Sequence, residues 1–322
     1  DGNGVNLNVP LMTLAFVPLT WLPPWAAITL WSAINVACMI GAWWLLAREG
    51  FAWELVALGL MVPMTGPLSL LLGQVTGLLL LASVGAWLAS RHGRPSLCGA
   101  LIGLLIAVKP FFGVWLGLWV LRREWRALLW AVVTAGSSVV LTVLAWPELA
   151  LGWVSATRNV SWLAHIYNAS IFGVAARWFH GVPAGVYSRP GLTPLWFDPS
   201  AERAVVAIGV ILIVSASGWA VSRASHDGAW AITGLASVLL SPLGWIYYLP
   251  LVLAPALVLL PVPAMLPALL ALSIPDDVLP ATLGRWQTAT LANGYAIAVF
   301  GLWIMSMRHR GLDDATRSAR EA

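Results

Sequence analysis

Charge is what this chain has least of. Only 9% of its 322 residues are Asp, Glu, Lys or Arg, against about a quarter in soluble domains, so a water-facing surface cannot be coated. Lysine is nearly missing: Lys109 stands alone among 17 basic residues. The basic residues fall mostly between apolar runs, as topology signals do, rather than in a patch suited to nucleic acid. Two cysteines, Cys38 and Cys98, lie in apolar stretches, which excludes a disulfide scaffold and says nothing of redox compartment. There is no His/Cys cluster at metal-ligand spacing, no phosphate-cradling glycine loop and no nucleophile elbow. Internal repeats and low-complexity linkers are also missing, and no signal-peptide pattern is seen at the start of the sequence. The first residue is Asp1, and the sequence is expected to begin short of the true start. What is present is apolar: 60% of the residues are hydrophobic, which predicts an all-α integral membrane protein.

Apolar runs predict membrane segments near 25–47, 52–64, 68–90, 97–108, 110–121, 127–146, 203–222, 229–241, 244–260, 263–275 and 286–307, about ten or eleven in all. A shorter stretch, 11–22, is bracketed by prolines and reads as re-entrant or interfacial. The chain 1–322 is expected to be one transmembrane domain, with 147–201 as an outer, aromatic-rich interfacial loop and 308–322 as a cytoplasmic tail. Residues 97–121 could be one rod or two half-helices broken at Lys109-Pro110, since proline disfavours helix at the residue before it. The hairpin puts eleven of the 17 basic residues on the cytoplasmic side: Arg48, Arg91, Arg94, Arg122, Arg123, Arg126, Arg223, Arg308, Arg310, Arg317 and Arg320. A single span leaves the two sides equal, so the positive-inside bias favours the hairpin. It also places residues 1–24, the Thr65-Gly66-Pro67 turn with Gln74, Lys109, 147–201, the Ser241–Tyr248 break and 276–285 on one outer face.

Each candidate residue has a functional and a plain reading. Lys109 could hold a lipid phosphate as a point charge, or snorkel and mark a turn. Gln74, in an apolar run, could bond a sugar hydroxyl or tie two helices together. Asn168, Ser170 and Arg177 could recognise a hydroxyl and fork a phosphate, or cap a helix and anchor an interface. Trp245, Tyr247 and Tyr248, after Ser241-Pro242-Leu243-Gly244, could line a cavity for a sugar or prenyl chain, or form an aromatic belt. Of the outer carboxylates (Asp1, Glu148, Asp198, Glu202, Asp276 and Asp277) none lies mid-bilayer, and each reads first as a solvated loop charge.

Five blocks in order, NVPLMTLAFVPLTWLPPWAAITLWSAIN, LLLGQVTGLLLL, GLLIAVKPFFGVWLGLWVLRREWRA, YNASIFGVAARWF and LLSPLGWIYYLPLVL, resemble glycosyltransferase family 87. Its members are multi-spanning GT-C enzymes that take sugar from a polyprenyl phosphate. The resemblance implies a membrane glycosyltransferase, most readily a mannosyltransferase, acting on a glycolipid or lipoglycan acceptor at the outer face of the plasma membrane, with membrane lipids as surroundings and no nucleic acid. It implies no cofactor or metal, the lipid-linked sugar being a co-substrate. By position it implies Gln74, Lys109, Asn168, Ser170, Arg177, Trp245 and Tyr248 as cavity residues, with Tyr247 beside them. The family's catalytic Asp sits in a first outer loop that would precede residue 1, so no base is assigned here. The chain departs from the family pattern at Asn8-Val9-Pro10, where Tyr-Pro-Pro is usual, at Thr76, where Asn is usual, and at Tyr247-Tyr248, where a His pair is usual. These departures keep open a catalytically degenerate glycolipid-binding subunit; a lipid or sugar transporter is a further alternative.

Overall fold

The computed structural model of the chain describes residues 9–51, 56, 69–70, 73–158, 162–182 and 190–309. It forms two compact units, one of Asp1–Ala42 with Gly77–Ser161 and one of Trp43–Thr76 with Trp162–Ala322. Almost all regular structure is helical, as the composition requires. Among the described residues four helices are long and apolar enough to cross a membrane: Pro24–Arg48, Trp125–Ala145, Pro199–Val221 and Arg285–Arg308. Six more apolar helices are shorter.

The first unit opens with α1 (Pro10–Phe16), begun by a proline at its first turn, and a 3-10 turn at Val17–Trp21. Helices α2 (Pro24–Arg48) and α3 (Thr76–Arg91) follow. They run parallel, since Asn35 lies against Gly77 and Gly41 against Leu81. A Cβ on Gly77 would sit 2.3 Å from the Asn35 carbonyl oxygen, and the Asn35 amide oxygen accepts from the Gly77 N–H at 3.0 Å. Helix α4 (Pro95–Val108) returns antiparallel to α3, with Gly85 beside Leu101.

Lys109 then leaves the helix in extended geometry (φ −138°, ψ 97°), Pro110–Gly113 makes a 3-10 turn, and α5 covers Val114–Arg122. Arg123 closes α5 in the left-handed region at φ 58°, and α6 (Trp125–Ala145) starts two residues on. Contacts between α4 and α6 fix the path. Gly99 meets Ala127 and Gly103 meets Ala131, so these helices are parallel. The chain between them must travel back, so 97–121 is a hairpin with Lys109 at its turn. Its other end carries Arg94, Arg122, Arg123 and Arg126. The close approach depends on small residues: a Cβ on Gly99 would lie 2.1 Å from the Ala127 carbonyl oxygen, the contact that lets backbones of apolar helices touch. Helix α7 (Pro147–Arg158) ends the unit.

In the second unit α8 (Ile171–Phe179) is followed by strand β1 (Gly191–Leu192), α9 (Pro199–Val221), α10 (His226–Leu240), α11 (Pro250–Leu259) and α12 (Val262–Leu272). Strand β2 (Thr282–Leu283), α13 (Arg285–Thr290) and α14 (Gly294–Arg308) complete it. Helix α10 is its centre, buried without interruption from Gly228 to Leu239 and packed by α9, α11 and α14. A helix apolar on every side is covered either by protein or by lipid, and here protein covers it. Asp198 caps α9 through the Ser200 and Ala201 N–H groups, and Ser225 caps α10 through Gly228. The short strands pair in parallel, joining residues 191–192 to 282–283.

Two expected segments change. The 68–90 run is not one helix: Gly73 turns at φ 62° and α3 begins only at Thr76, because a left-handed glycine ends a helix whatever the hydropathy of its neighbours. The 244–260 run becomes helical only at Pro250, after a 3-10 turn at Ile246–Tyr248. The 52–64 segment, Val56 apart, and the Thr65-Gly66-Pro67 turn lie outside the described residues.

Candidate functional site

The second unit gathers three stretches that the sequence keeps far apart: 162–170, 241–248 and the segment leading into α14. Asn168 organises the first two. Its side-chain amide donates to the Leu163 and Pro242 carbonyls, both at 2.9 Å. Its amide oxygen accepts from the Gly244 N–H at 2.9 Å and the Ser170 hydroxyl at 2.8 Å. Main-chain bonds continue the join, Ala169 N–H to the Gly244 carbonyl at 2.8 Å and Ile246 N–H to the Tyr167 carbonyl at 2.9 Å. Apart from the 3-10 turn at Ile246–Tyr248 neither stretch is helical, so these bonds satisfy backbone groups that regular structure would otherwise pair. Two glycines permit the contact. A Cβ on Gly173 would fall 2.5 Å from the Asn168 carbonyl oxygen, and one on Gly244 would fall 2.2 Å from that of Val238.

Ser170 is the N-cap of α8, accepting from the Gly173 N–H at 3.2 Å. Arg177, on α8, is completely buried. Its Nη1 donates to the carbonyls of His165 at 2.7 Å and Asn168 at 3.0 Å, and its Nε donates to the Asn293 amide oxygen at 2.8 Å. Nη2 is buried without a partner. Burial pushes the guanidinium down to about 9, so it stays charged at neutral pH. Asn293 is held in turn through bonds to the Thr288 and Ala289 carbonyls.

The same stretches carry a continuous chain of rings. Tyr295 meets Tyr167 at 5.9 Å between centroids, Tyr167 meets His165 at 4.8 Å, and His165 meets Trp245 edge-on at 5.4 Å. Trp245 stacks on Tyr247 at 5.7 Å, and Tyr247 meets Tyr248 at 4.9 Å. Trp245, Tyr247, Tyr248 and Tyr295 keep only 7–8% exposure, whereas His165 and Tyr167 are half-buried. The His165 Nδ1 accepts the Tyr167 N–H at 3.1 Å, so in the neutral imidazole the proton sits on Nε2. Rings presented in this way can stack on apolar faces of a ligand while their polar edges bond its hydroxyls.

Asn168, Ser170, Arg177, Trp245, Tyr247 and Tyr248 are therefore brought together, and His165, Tyr167, Asn293 and Tyr295 join them. The one advance signal for the newcomers was that His165 and Tyr167 sit beside Asn168. Gln74 lies half-buried just after the Gly73 turn, its N–H bonded to the Ser69 carbonyl at 2.9 Å. Lys109, in the first unit, is 9% exposed at the hairpin turn. Of the outer carboxylates, Asp198 is engaged as a helix cap and Glu202 lies 3.8 Å from the His180 ring. Among the described residues no three His, Cys, Asp or Glu side chains gather as a metal site would need.

The sequence profile of glycosyltransferase family 87 matches residues 6–242. The chain belongs to that family. Among curated proteins it is 31% identical over 179 residues to an Alpha-(1->3)-arabinofuranosyltransferase of Mycobacterium tuberculosis, covering 52% of this chain and 41% of the relative. It is 26% identical over 255 residues to an Alpha-(1->3)-arabinofuranosyltransferase of Corynebacterium glutamicum, covering 74% of this chain and 56% of the relative. The chain thus spans about half the length of these relatives. No solved structure matches it.

Proposed function

We propose that this family 87 chain is the membrane-embedded part of a glycosyltransferase that moves a sugar from a polyprenyl-phosphate donor to a glycolipid or lipoglycan acceptor at the outer face of the plasma membrane. Family membership carries this reading. The names of both relatives favour arabinofuranose over the mannose expected from sequence. In the transfer, the acceptor hydroxyl oxygen attacks the anomeric carbon as its proton passes to a general base. The bond from that carbon to the phosphate oxygen breaks, and the lipid phosphate leaves with the electron pair. A single displacement of this kind inverts the anomeric centre. No residue of this chain is assigned as the base.

Negative charge builds on the leaving phosphate, so a fixed cation in low-dielectric surroundings lowers the barrier there most effectively. Lys109 fits that role, being buried at a helix break on the end of its hairpin away from the arginines. In the second unit Asn168 is spent on holding the loop, while the half-buried His165 and Tyr167 offer stacking groups for a sugar. Tyr247 and Tyr248, enclosed where the family usually places a His pair, favour the degenerate-subunit reading as the second possibility.

The test is transfer by the full-length protein in vesicles, supplied with polyprenyl-phosphate arabinofuranose or mannose and a lipoglycan acceptor. An arabinofuranosylated product is expected. A mannosylated product would move the sugar assignment, donor binding without any product would favour the degenerate subunit, and neither binding nor product would end the proposal.

A further inference from the structure

The sequence offers Arg177 as a phosphate ligand. Its surroundings suit another role. The guanidinium has no exposure, and three of its bonds go to protein: the His165 and Asn168 carbonyls and the Asn293 amide. The first two bracket Tyr167, and the third lies two residues before Tyr295. One side chain therefore holds the backbone on either side of Tyr167 and the side chain of Asn293, close in sequence to Tyr295, and the two rings meet at 5.9 Å. The same bond to His165 sets the backbone of the ring that meets Trp245 at 5.4 Å. The 162–170 loop has no helix to hold it, so its shape depends on these side-chain bonds and on those of Asn168. His165 and Tyr167 are also the ring-chain members with more than marginal exposure, hence the ones a ligand can reach.

We propose that Arg177 is a positioning residue. It fixes His165 and Tyr167 as a stacking platform for the sugar of a lipid-linked donor, with Asn293 as its anchor, and does not bind the donor phosphate. The proposal rests on the donor reading above. A planar fork is needed, because Nη1 reaches two carbonyls while Nε reaches an amide at a different angle; a lysine ammonium cannot reproduce that geometry.

The experiment compares binding of polyprenyl phosphate with binding of the same lipid phosphate bearing its sugar, on the full-length protein in nanodiscs. Arg177→Met and Arg177→Lys are expected to lose most of the extra affinity conferred by the sugar, about tenfold for two misplaced rings, while affinity for the bare lipid phosphate stays within about twofold. Tyr167→Leu should give the same selective loss with the guanidinium untouched. Asn293→Ala, which leaves Arg177 in place, should give a smaller loss of the same kind and carries the test if the Arg177 variants do not fold. Weaker binding of both lipids to the same degree in Arg177→Met or Asn293→Ala would overturn the proposal and restore the phosphate role. Full rescue by Arg177→Lys would overturn it as well. Wild-type protein that binds neither lipid would overturn the donor reading itself, which is a different failure.

Discussion

The two units solve the same problem by different means. In the first, helices are matched by shape. Gly99 and Gly103 admit the α6 backbone at Ala127 and Ala131, and the polar interruption at Lys109 is absorbed by main-chain geometry, with the Lys109 N–H on the Leu105 carbonyl at 2.7 Å. In the second, a loop is specified by side chains. Asn168 and Arg177 bond carbonyls and amides from three stretches, and the same stretches carry a row of rings. In apolar surroundings helices already satisfy their own backbones, so contact shape suffices to choose a partner. A loop has to find outside partners for its N–H and C=O groups. Buried amides and a guanidinium supply them, and this is why polarity concentrates where irregular chain is enclosed.

That contrast can be broken from either side. The largest effect is expected on turnover in the first unit. Lys109→Ala in the full-length protein should reduce transfer by at least about a hundredfold while thermal unfolding in detergent is unchanged; near-normal turnover would remove Lys109 from the chemistry. Next is Asn168→Ala in the second unit, which strips partners from buried groups of both loop stretches. Each orphaned group costs about 1–3 kcal/mol, so a stability loss of about 3 kcal/mol or more should be read in thermal unfolding, with loss of donor binding. A smaller effect is expected from Gly99→Ala, where a methyl must push the α6 backbone away at a cost of about 1–3 kcal/mol. Donor binding by the second unit's rings should survive that change. If it falls as far as in Asn168→Ala, the division of labour between the units is wrong.

Much of the architecture was legible because hydropathy and proline act locally. Pro95, Pro110 and Pro147 stand at helix or turn starts close to boundaries that the sequence placed, and the arginine distribution chose the hairpin that the α4–α6 register then required. The Gly73 turn was hidden because apolar residues on both sides mask a conformation only glycine declares. In the site, Asn168, Ser170 and Arg177 could be picked out as hydrogen-bonding side chains in an aromatic loop, and Ser170 proved a helix cap. Their partners could not be read. Asn293 and Tyr295 come from more than a hundred residues away, and nothing in their local pattern announces that they meet Arg177 and Tyr167. Nor could the sequence show that the Arg177 guanidinium is enclosed and bonded through Nε and Nη1 to protein groups.

The account turns on the hairpin presenting Lys109 opposite the arginine-bearing ends. The most direct measurement is thiol labelling from each side of sealed membranes, in a Cys38→Ala, Cys98→Ala background. Gly113→Cys reports the turn, where an added Cβ meets nothing within 4 Å, and Arg94→Cys reports the exposed start of α4. Labelling of Gly113→Cys from the outer side with Arg94→Cys reachable only from the cytosol is the expected result. Reaction of both from the same side, or of Gly113→Cys from the cytosol alone, would contradict it.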